Sequence, residues 1–298
     1  MNEFIAAAVQ IAVKPNDINY NLDKISFWLK TAVKDHSAEL VVFPESITTG
    51  FAPGMPPEEF YDLLNYIPGP ETDRVGALAR ELKAHVVLPM YEKGKEKNMI
   101  MNSSILINEE GKIVGIYRKT HPFPTERLAA GGWTTPGKEA IVVDTKLGKI
   151  GMMICYDGDF PEVSRVLAIQ GAEVITRPSA LSRSFEIWDV TNKARAYDNH
   201  VYIIATNSVG ADAGENYYFG SSMIISPIAQ KLAQARGTEE IISARLDPNP
   251  LKRVTYGANS PMIFDHLEDR NLEVYKDILK EAKSPFEPAK RIPYKRCE

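Results

Sequence analysis

The stretch Lys149–Glu162, KIGMMICYDGDFPE, narrows the choice of fold more than any other part of the chain. Apolar residues run into Cys155, and Tyr156-Asp157-Gly158-Asp159 breaks the run. Phe160-Pro161-Glu162 then opens a new amphipathic stretch, VSRVLAIQGAE. An apolar run that stops at a Gly-containing turn and restarts behind a proline is a buried strand handing over to a helix, because proline suits the first helical turn. Such a junction belongs to an α/β fold and sets a thiol at the edge where binding and reacting groups sit. Free cysteine is otherwise a small buried hydrophobe, so the role of Cys155 depends on what stands beside it.

The chain has 298 residues, 44% hydrophobic and 25% charged, enough to bury a large core without staples. A net charge of −4 gives no reason to expect nucleic acid or an anionic membrane as partner. Two cysteines, one of them the penultimate Cys297, do not make a disulfide framework. The first residues, MNEFIAAAVQIAV, lack a basic n-region and are broken by Lys14-Pro15-Asn16-Asp17, so they read as a first strand rather than a signal peptide. No apolar stretch approaches the length of a membrane span. A reducing cytoplasm is the expected location.

Taken in order, Phe4 to Val13 reads as a strand, and Asn16 or Asp17 caps a helix with Leu22, Ile25, Leu29 and Val33 on one face. Leu40 to Phe43 is a short strand, Ser46 to Pro57 a Gly/Pro-rich ordered loop, and Glu71 to Lys83 a helix. A meander follows over His85 to Tyr91, Met101 to Ile107 and Ile113 to Arg118, and then a long loop from Lys119 to Gly137. Ala140 to Val143 and Ile150 to Cys155 form a hairpin. The helix after Pro161 leads to strand Val174 to Thr176, an irregular stretch Arg177 to Ser184, and a helix from Phe185 to about Asn199. Strands are predicted at Val201 to Thr206, Tyr218 to Ile225, Ala229 to Ala235 and Glu240 to Leu246. Residues 248–261 read as a loop, Leu267 to Ala282 as a helix, and the end as a basic, Pro-interrupted tail. No linker or repeat divides the chain, which reads as a single domain over 1–298. Residues 248–298 form a C-terminal extension expected to pack on a neighbouring subunit. Each half carries strands punctuated by two amphipathic helices, which fits helices flanking two stacked sheets.

Three strand ends carry a reactive side chain: Glu45 after LVVFP, Lys119 after IVGIYR and Cys155 after KIGMMI. Alone, such a Glu or Lys is ordinary loop charge; their recurrence in one context is the signal. A thiol with a pKa near 8.5 needs a base or a cation beside it. Glu45 is suited to take the thiol proton and return it to a leaving amine. Lys119 is suited to stabilise an oxyanion, with the backbone N–H of Tyr156 as a second donor.

VVFPES at 41–46, YRKTH at 117–121 and GMMICYDGDFPE at 151–162 together resemble the three motifs of the nitrilase superfamily of carbon–nitrogen hydrolases, in the same order and at similar spacing. The resemblance runs from Phe4 to about Asp247. It implies a four-layer α-β-β-α sandwich that pairs into homodimers or larger homo-oligomers, and a chemistry with no metal or organic cofactor. It also implies that Cys155 is the nucleophile, Glu45 the general base and Lys119 the oxyanion-stabilising lysine. Many amidases of this family have a second, substrate-positioning glutamate in the loop after the lysine, and Glu126 stands one residue closer to Lys119 than in aliphatic amidases. His121 beside Pro122 reads as a structural hydrogen-bonder. Arg195 and Asn199 read as braces for the nucleophile's helix or a dimer contact, and Asn102-Ser103-Ser104 as a polar turn supporting the loops.

True nitrilases typically carry Trp-Glu after the cysteine and D-carbamoylases Asn-Asp-Arg-Arg, whereas this chain has Tyr156-Asp157. CYDGDFPE and Tyr218-Phe219-Gly220-Ser221-Ser222 look like the CxDGxFPE and YFGxS of aliphatic amidases and formamidases, though those have a longer C-terminal extension. The expected substrate is a small aliphatic carboxamide. Its pocket is expected to be lined by Phe51 to Tyr61, Phe123 to Trp133 and Ser179 to Phe185. The alternatives are an N-carbamoyl amine or β-ureido acid hydrolase, with Arg127, Arg177 or Arg183 taking the substrate carboxylate, a nitrilase, or a catalytically idle binding module.

Overall fold

The computed structural model describes residues 1–252, 254–255, 261–286 and 288–292. Cys297, the last residues of the basic tail and part of the 248–261 loop lie outside the described residues.

The first half is built from β1 (Phe4–Gln10), α1 (Ile18–His36), β2 (Leu40–Val42), α2 (Pro57–Leu63), α3 (Pro70–Leu82), β3 (His85–Lys93), β4 (Ile100–Ile107) and β5 (Ile113–Arg118). Asp17 caps α1 by accepting from the Tyr20 N–H at 3.0 Å. β1, β2 and β3 run parallel, with β4 and β5 added as an antiparallel meander. Two reversals leave β5 pointing the same way as β3. The second half supplies β6 (Ile141–Thr145), β7 (Gly148–Met152), α4 (Pro161–Ile169), β8 (Val174–Ser179), α5 (Phe185–Asn199), β9 (Tyr202–Asn207), β10 (Val209–Ala211), β11 (Tyr217–Phe219), β12 (Met223–Ile225), β13 (Lys231–Gln234) and β14 (Glu240–Leu246). Its sheet runs β13-β12-β9-β8-β7-β6 around a parallel centre of β7, β8 and β9. β14 crosses back to pair antiparallel with β1, so the first sheet reads β14-β1-β2-β3-β4-β5.

Side-chain alternation along β1 shows how the layers stack. Ala7 and Val9 pack with Leu22, Ile25 and Leu29 of α1 and Val75 and Leu78 of α3. Phe4, Ala6 and Ala8 join the cluster that contains Ile150, Met152 and Met223 of the second sheet. Across the sheets the contact is close: a Cβ on Gly115 of β5 would come 2.5 Å from Val143 of β6. On its outer face the second sheet carries α4 and α5, through Leu167, Ala168, Trp188 and Ala196. The result is the expected four-layer α-β-β-α sandwich.

Four local expectations change. Tyr218 to Ile225 is not one strand. β11 pairs only with β10, the chain turns at Gly220 (φ 72°) and Ser221 (φ 58°), and β12 then joins the main sheet beside β9. β8 continues through Arg177 and Pro178 to Ser179. Its pairing with β7 ends at Thr176 while that with β9 runs to Ser179, so the missing N–H of Pro178 falls where one side has no partner strand. Asn102-Ser103-Ser104 is no turn but the buried middle of β4. Within 267–282 the only helical turn is a 3-10 piece, Leu272–Tyr275. Leu272 and Leu279 are 64% and 91% exposed there, and without an apolar face to pack on a short helix is not stable in water. The sequence also left α2 unassigned. It packs Phe60 and Tyr61 on Tyr91 and Ile100.

Candidate active site

Glu45 follows β2, Lys119 follows β5 and Cys155 follows β7, and the two sheets bring these strand ends together. The Lys119 ammonium donates to Glu45 Oε1 at 2.7 Å and to Glu126 Oε2 at 2.6 Å, and all three side chains are buried. Asn102 Nδ2 bridges the same two carboxylates, at 2.8 Å to Glu45 and 3.2 Å to Glu126. The other Glu45 oxygen accepts the Ala180 N–H at 2.8 Å, from the end of β8 across the gap. Glu126 sits in a 3-10 turn, Pro124–Glu126, where it also accepts from the Phe123 N–H (2.8 Å) and Thr134 Oγ1 (3.1 Å). The 3-10 turn thus delivers the Glu126 carboxylate to the lysine.

Cys155 opens the 3-10 turn Cys155–Asp159 with φ at 45°, a conformation non-glycine residues rarely adopt. What holds it there is a set of contacts around the turn. Asp157, fully buried, accepts from the Ile154 N–H at 2.9 Å and the Tyr117 hydroxyl at 2.8 Å on one oxygen, and from the His121 N–H at 2.9 Å on the other. The carboxylate thereby ties the cysteine's turn to β5, the strand that leads into Lys119. Arg177, also fully buried, donates from Nε to the Cys155 carbonyl at 2.9 Å and lies over Trp188. Gly158 leaves the space for that guanidinium, since a Cβ there would come 2.2 Å from Arg177 Cζ. Arg195 Nε adds a bond to the Gly158 carbonyl at 3.1 Å, and Asn199 Nδ2 links α5 to Ser164 of α4 at 3.1 Å. Tyr156, next in the turn, is half-buried and meets Phe123 edge-on.

Burial sets the electrostatics. It pushes the Cys155 thiol up to about 12, reinforced by the Glu45 charge and opposed by Lys119 and Arg177. Burial also raises Glu45, against the pull of Lys119. For Lys119 burial works against the charge, but Glu126 and Glu45 outweigh it and hold the ammonium well above its usual range. The thiol therefore rests protonated, and the neighbouring Glu45 carboxylate is made more basic than usual. This is the arrangement in which a proton passes from sulfur to oxygen as the sulfur attacks.

Above the thiol is a cavity of about 70 Å³, walled by Phe51, Phe123, Ala180, Arg183, Asn216 and Tyr218 among others. The 51–61, 123–133 and 179–185 segments contribute as expected, although Phe60 and Tyr61 turn away into α2's own cluster. The β10–β11 hairpin, which supplies Asn216 and Tyr218, was not foreseen, nor was Asp157; Asn102 was expected to support the loops but not to bridge the two carboxylates. A buried polar run inside an apolar strand, as in IMNSSILI, must find partners, and that was the available signal for Asn102. His121 is a brace: Nδ1 lies 3.0 Å from Asp157 and the ring stacks on Phe160 at 4.1 Å. Of the three arginines considered for a substrate carboxylate, Arg177 is sealed beneath the turn. Arg127 donates to the Pro122 and Ile292 carbonyls, and Arg183 lines the cavity.

A sequence profile described as Carbon-nitrogen hydrolase matches residues 5–256. The chain belongs to the carbon–nitrogen hydrolase family. Members of the nitrilase superfamily act on non-peptide C–N bonds, and this chain is one of them. It is 33% identical to a Schizosaccharomyces pombe protein described as a probable nitrilase, over 92% of this chain and 97% of that one. It is 34% identical to a Bacillus cereus formamidase over 82% of this chain and 74% of the other. A carbon–nitrogen hydrolase from Helicobacter pylori has the same fold, with TM-score 0.79 at 26% identity, covering 94% and 99% of the two chains. Among the described residues no helix is long and apolar enough to cross a membrane, and no cluster of His, Cys, Asp or Glu is arranged to hold a metal ion.

Proposed function

We propose that this carbon–nitrogen hydrolase is an amidase that converts a small, uncharged aliphatic carboxamide to its acid and ammonia through a thioester on Cys155. The observation that carries the reading is the buried Lys119 ammonium held between Glu45 and Glu126 beneath the cavity that opens on the thiol. Cys155 attacks the carbonyl carbon as Glu45 takes the thiol proton. An ammonium has three donors and Lys119 uses two on the carboxylates, so the third is left for the oxyanion, together with the Tyr156 N–H. Glu45 returns the proton to the leaving amine, ammonia departs, and water activated by Glu45 releases the acid. Glu126 keeps Lys119 in line and positions the substrate amide.

The acyl group is small because the cavity is: a water needs about 10–15 Å³ of such space, and about 70 Å³ therefore holds only a few non-hydrogen atoms. Similarity to a formamidase supports the same choice. The carbamoyl-acid reading draws its support from Arg183, which lines the cavity. A panel of short amides, N-carbamoyl acids and nitriles scored by ammonia release decides between them. Turnover of carbamoyl acids or nitriles alone would overturn the amidase assignment.

We also read the protein as a homodimer or larger homo-oligomer of the cytoplasm, where a catalytic thiol stays reduced. Val166 and Ile169 of α4 are 42% and 54% exposed, beside Leu272 and Leu279, an apolar face that a second copy would cover. The 248–298 extension is taken to strengthen that contact, with its 264–270 part already seated on its own chain: Arg165 donates to the His266 carbonyl at 3.1 Å and His266 stacks on His200.

A further inference from the structure

Asp159 closes the turn that Cys155 opens, and it faces two guanidiniums. Arg183 Nη1 lies 2.6 Å from Oδ2 and Nη2 lies 3.2 Å from Oδ1, a two-pronged pair, while Arg177 Nη2 reaches Oδ1 at 3.2 Å. The Asp159 backbone carbonyl is held as well, by Arg195 Nη2 at 3.2 Å. Arg177 serves the cysteine's carbonyl from below, whereas Arg183 stands in the cavity wall. Its guanidinium is 5.5 Å from the centre of the Phe123 ring and 5.4 Å from that of Tyr156, with the two rings edge-on at 5.2 Å. Fork-to-carboxylate pairing fixes the plane of the guanidinium, and the two aromatic rings keep it there.

From this we infer that Asp159 is the residue that sets the charge specificity of the site: by occupying the fork of Arg183, the cation among the described residues that line the cavity, it leaves that guanidinium no free edge for a second carboxylate, so that uncharged acyl groups enter and carboxylate-bearing ones are turned away. The inference deepens the amidase reading and rests on it for the substrate. A carboxylate on the acyl group would meet Arg183 with Asp159 already on its fork, and two carboxylates sharing one guanidinium oppose each other. It could take Arg183 only by breaking two charge-assisted bonds already made. The presence of an arginine in the cavity thus argues for neutral substrates, the reverse of what the sequence alone suggests for Arg183. Asp159 and Arg183 are specificity residues here; the reacting atoms are those of Cys155, Glu45 and Lys119.

The test uses alkylation of Cys155, which needs no amide turnover. The sulfur bonds to the reagent's methylene carbon, the carbon–iodine bond breaks, iodide leaves with the bonding pair, and the thiol proton passes to Glu45. Iodoacetamide is neutral and iodoacetate anionic but otherwise alike. The rate with each, read from the mass of the Cys155 peptide and divided by that of free cysteine, gives a selectivity ratio. In the full-length wild type the ratio favours iodoacetamide about tenfold or more, the size of one lost charge contact. Asp159→Asn lowers the ratio about tenfold, adding Arg183→Met restores it, and Glu162→Gln, an exposed charge removed nearby on α4, leaves it unchanged. Arg183→Met alone raises the ratio, and this variant decides the matter if Asp159→Asn does not fold. An unchanged ratio in Asp159→Asn or in Arg183→Met, or an equal shift in Glu162→Gln, would sink the proposal. Butyramide and succinamate, compared by kcat/KM on the same proteins, separate the two claims. A ratio that shifts in a protein that hydrolyses neither overturns the amidase assignment and leaves the charge filter standing. Amide turnover with a fixed ratio does the opposite.

Discussion

Lys119 Nζ stands 2.6 Å from Glu126 Oε2, with both side chains sealed from solvent. Removing the charge of one partner leaves the other buried and unpaired on that side, at a cost of about 3–5 kcal/mol. Glu126→Gln is therefore expected to lower the melting temperature and to cut kcat by about 10²–10³, the range for loss of a group that orients an oxyanion donor. Steady-state kinetics with a short amide, alongside calorimetry, checks both. Wild-type kcat in Glu126→Gln would remove this residue from the mechanism.

Gly158 is the second place to probe, because its role is space rather than backbone freedom. An alanine methyl would meet the Arg177 guanidinium at 2.2 Å. Overpacking of this kind costs roughly 1–3 kcal/mol. The displaced arginine also releases the Cys155 carbonyl, so Gly158→Ala is expected to lose at least about tenfold in kcat while KM changes little. A stable, fully active Gly158→Ala protein would contradict the account of Arg177 as the support of the turn.

Asp157 receives donors on both oxygens. In Asp157→Asn the amide nitrogen must face the donors of one side, leaving at least one buried N–H or O–H unpaired at about 1–3 kcal/mol. The measurement is thermal unfolding, and no change in midpoint would show the network to be dispensable.

The raised thiol makes a prediction about alkaline stability. In the unfolded chain Cys155 loses its proton near pH 8.5, whereas in the folded protein it keeps it to about 12. Between those values the folded state binds the extra proton. The stability this thiol contributes is therefore complete below about pH 8.5 and is lost as the pH rises towards 12. Denaturant titrations of wild type and Cys155→Ala at pH 7 and 10 should show the wild type losing more. Parallel losses would mean the thiol titrates alike in the folded and unfolded chain, and a smaller loss in the wild type would mean it is already ionised in the folded state.

Ile169 is the test of the oligomer. Ile169→Glu places a charge on the exposed apolar face of α4, and sedimentation should show smaller particles than wild type. An assembly of unchanged size would move the interface elsewhere.

The sheets and the meeting of Glu45, Lys119 and Cys155 were legible in the sequence because both rest on strong local signals. Apolar runs mark the buried strands, and Glu45, Lys119 and Cys155 each stand just past the end of such a run. What the sequence hid was mostly long-range. Asn102 finds its two carboxylates 57 and 24 residues away, a pairing that follows from sheet registry and from no local pattern. Arg177 has the context of a loop residue beside Pro178, yet it is interior because β9 continues alongside β8 after β7 has stopped. The 218–225 stretch reads as one strand because apolar residues stand on both sides of Gly220-Ser221-Ser222, while the turn there is held by a residue far away in the chain, Gln10, whose Oε1 accepts from the Ser222 N–H at 2.8 Å.

The bond from the Ala180 N–H to Glu45 has a further consequence. It joins the end of a second-sheet strand to a first-sheet carboxylate that Lys119, from the same first sheet, also holds. A fragment ending in the loop before β6 would carry Glu45, Lys119 and Glu126. The complementary fragment would carry Cys155 and the Ala180 donor, together with the β14 strand that the first sheet lacks without it. Neither piece holds a complete site, so recovered activity in a split protein would report the seating of one sheet on the other.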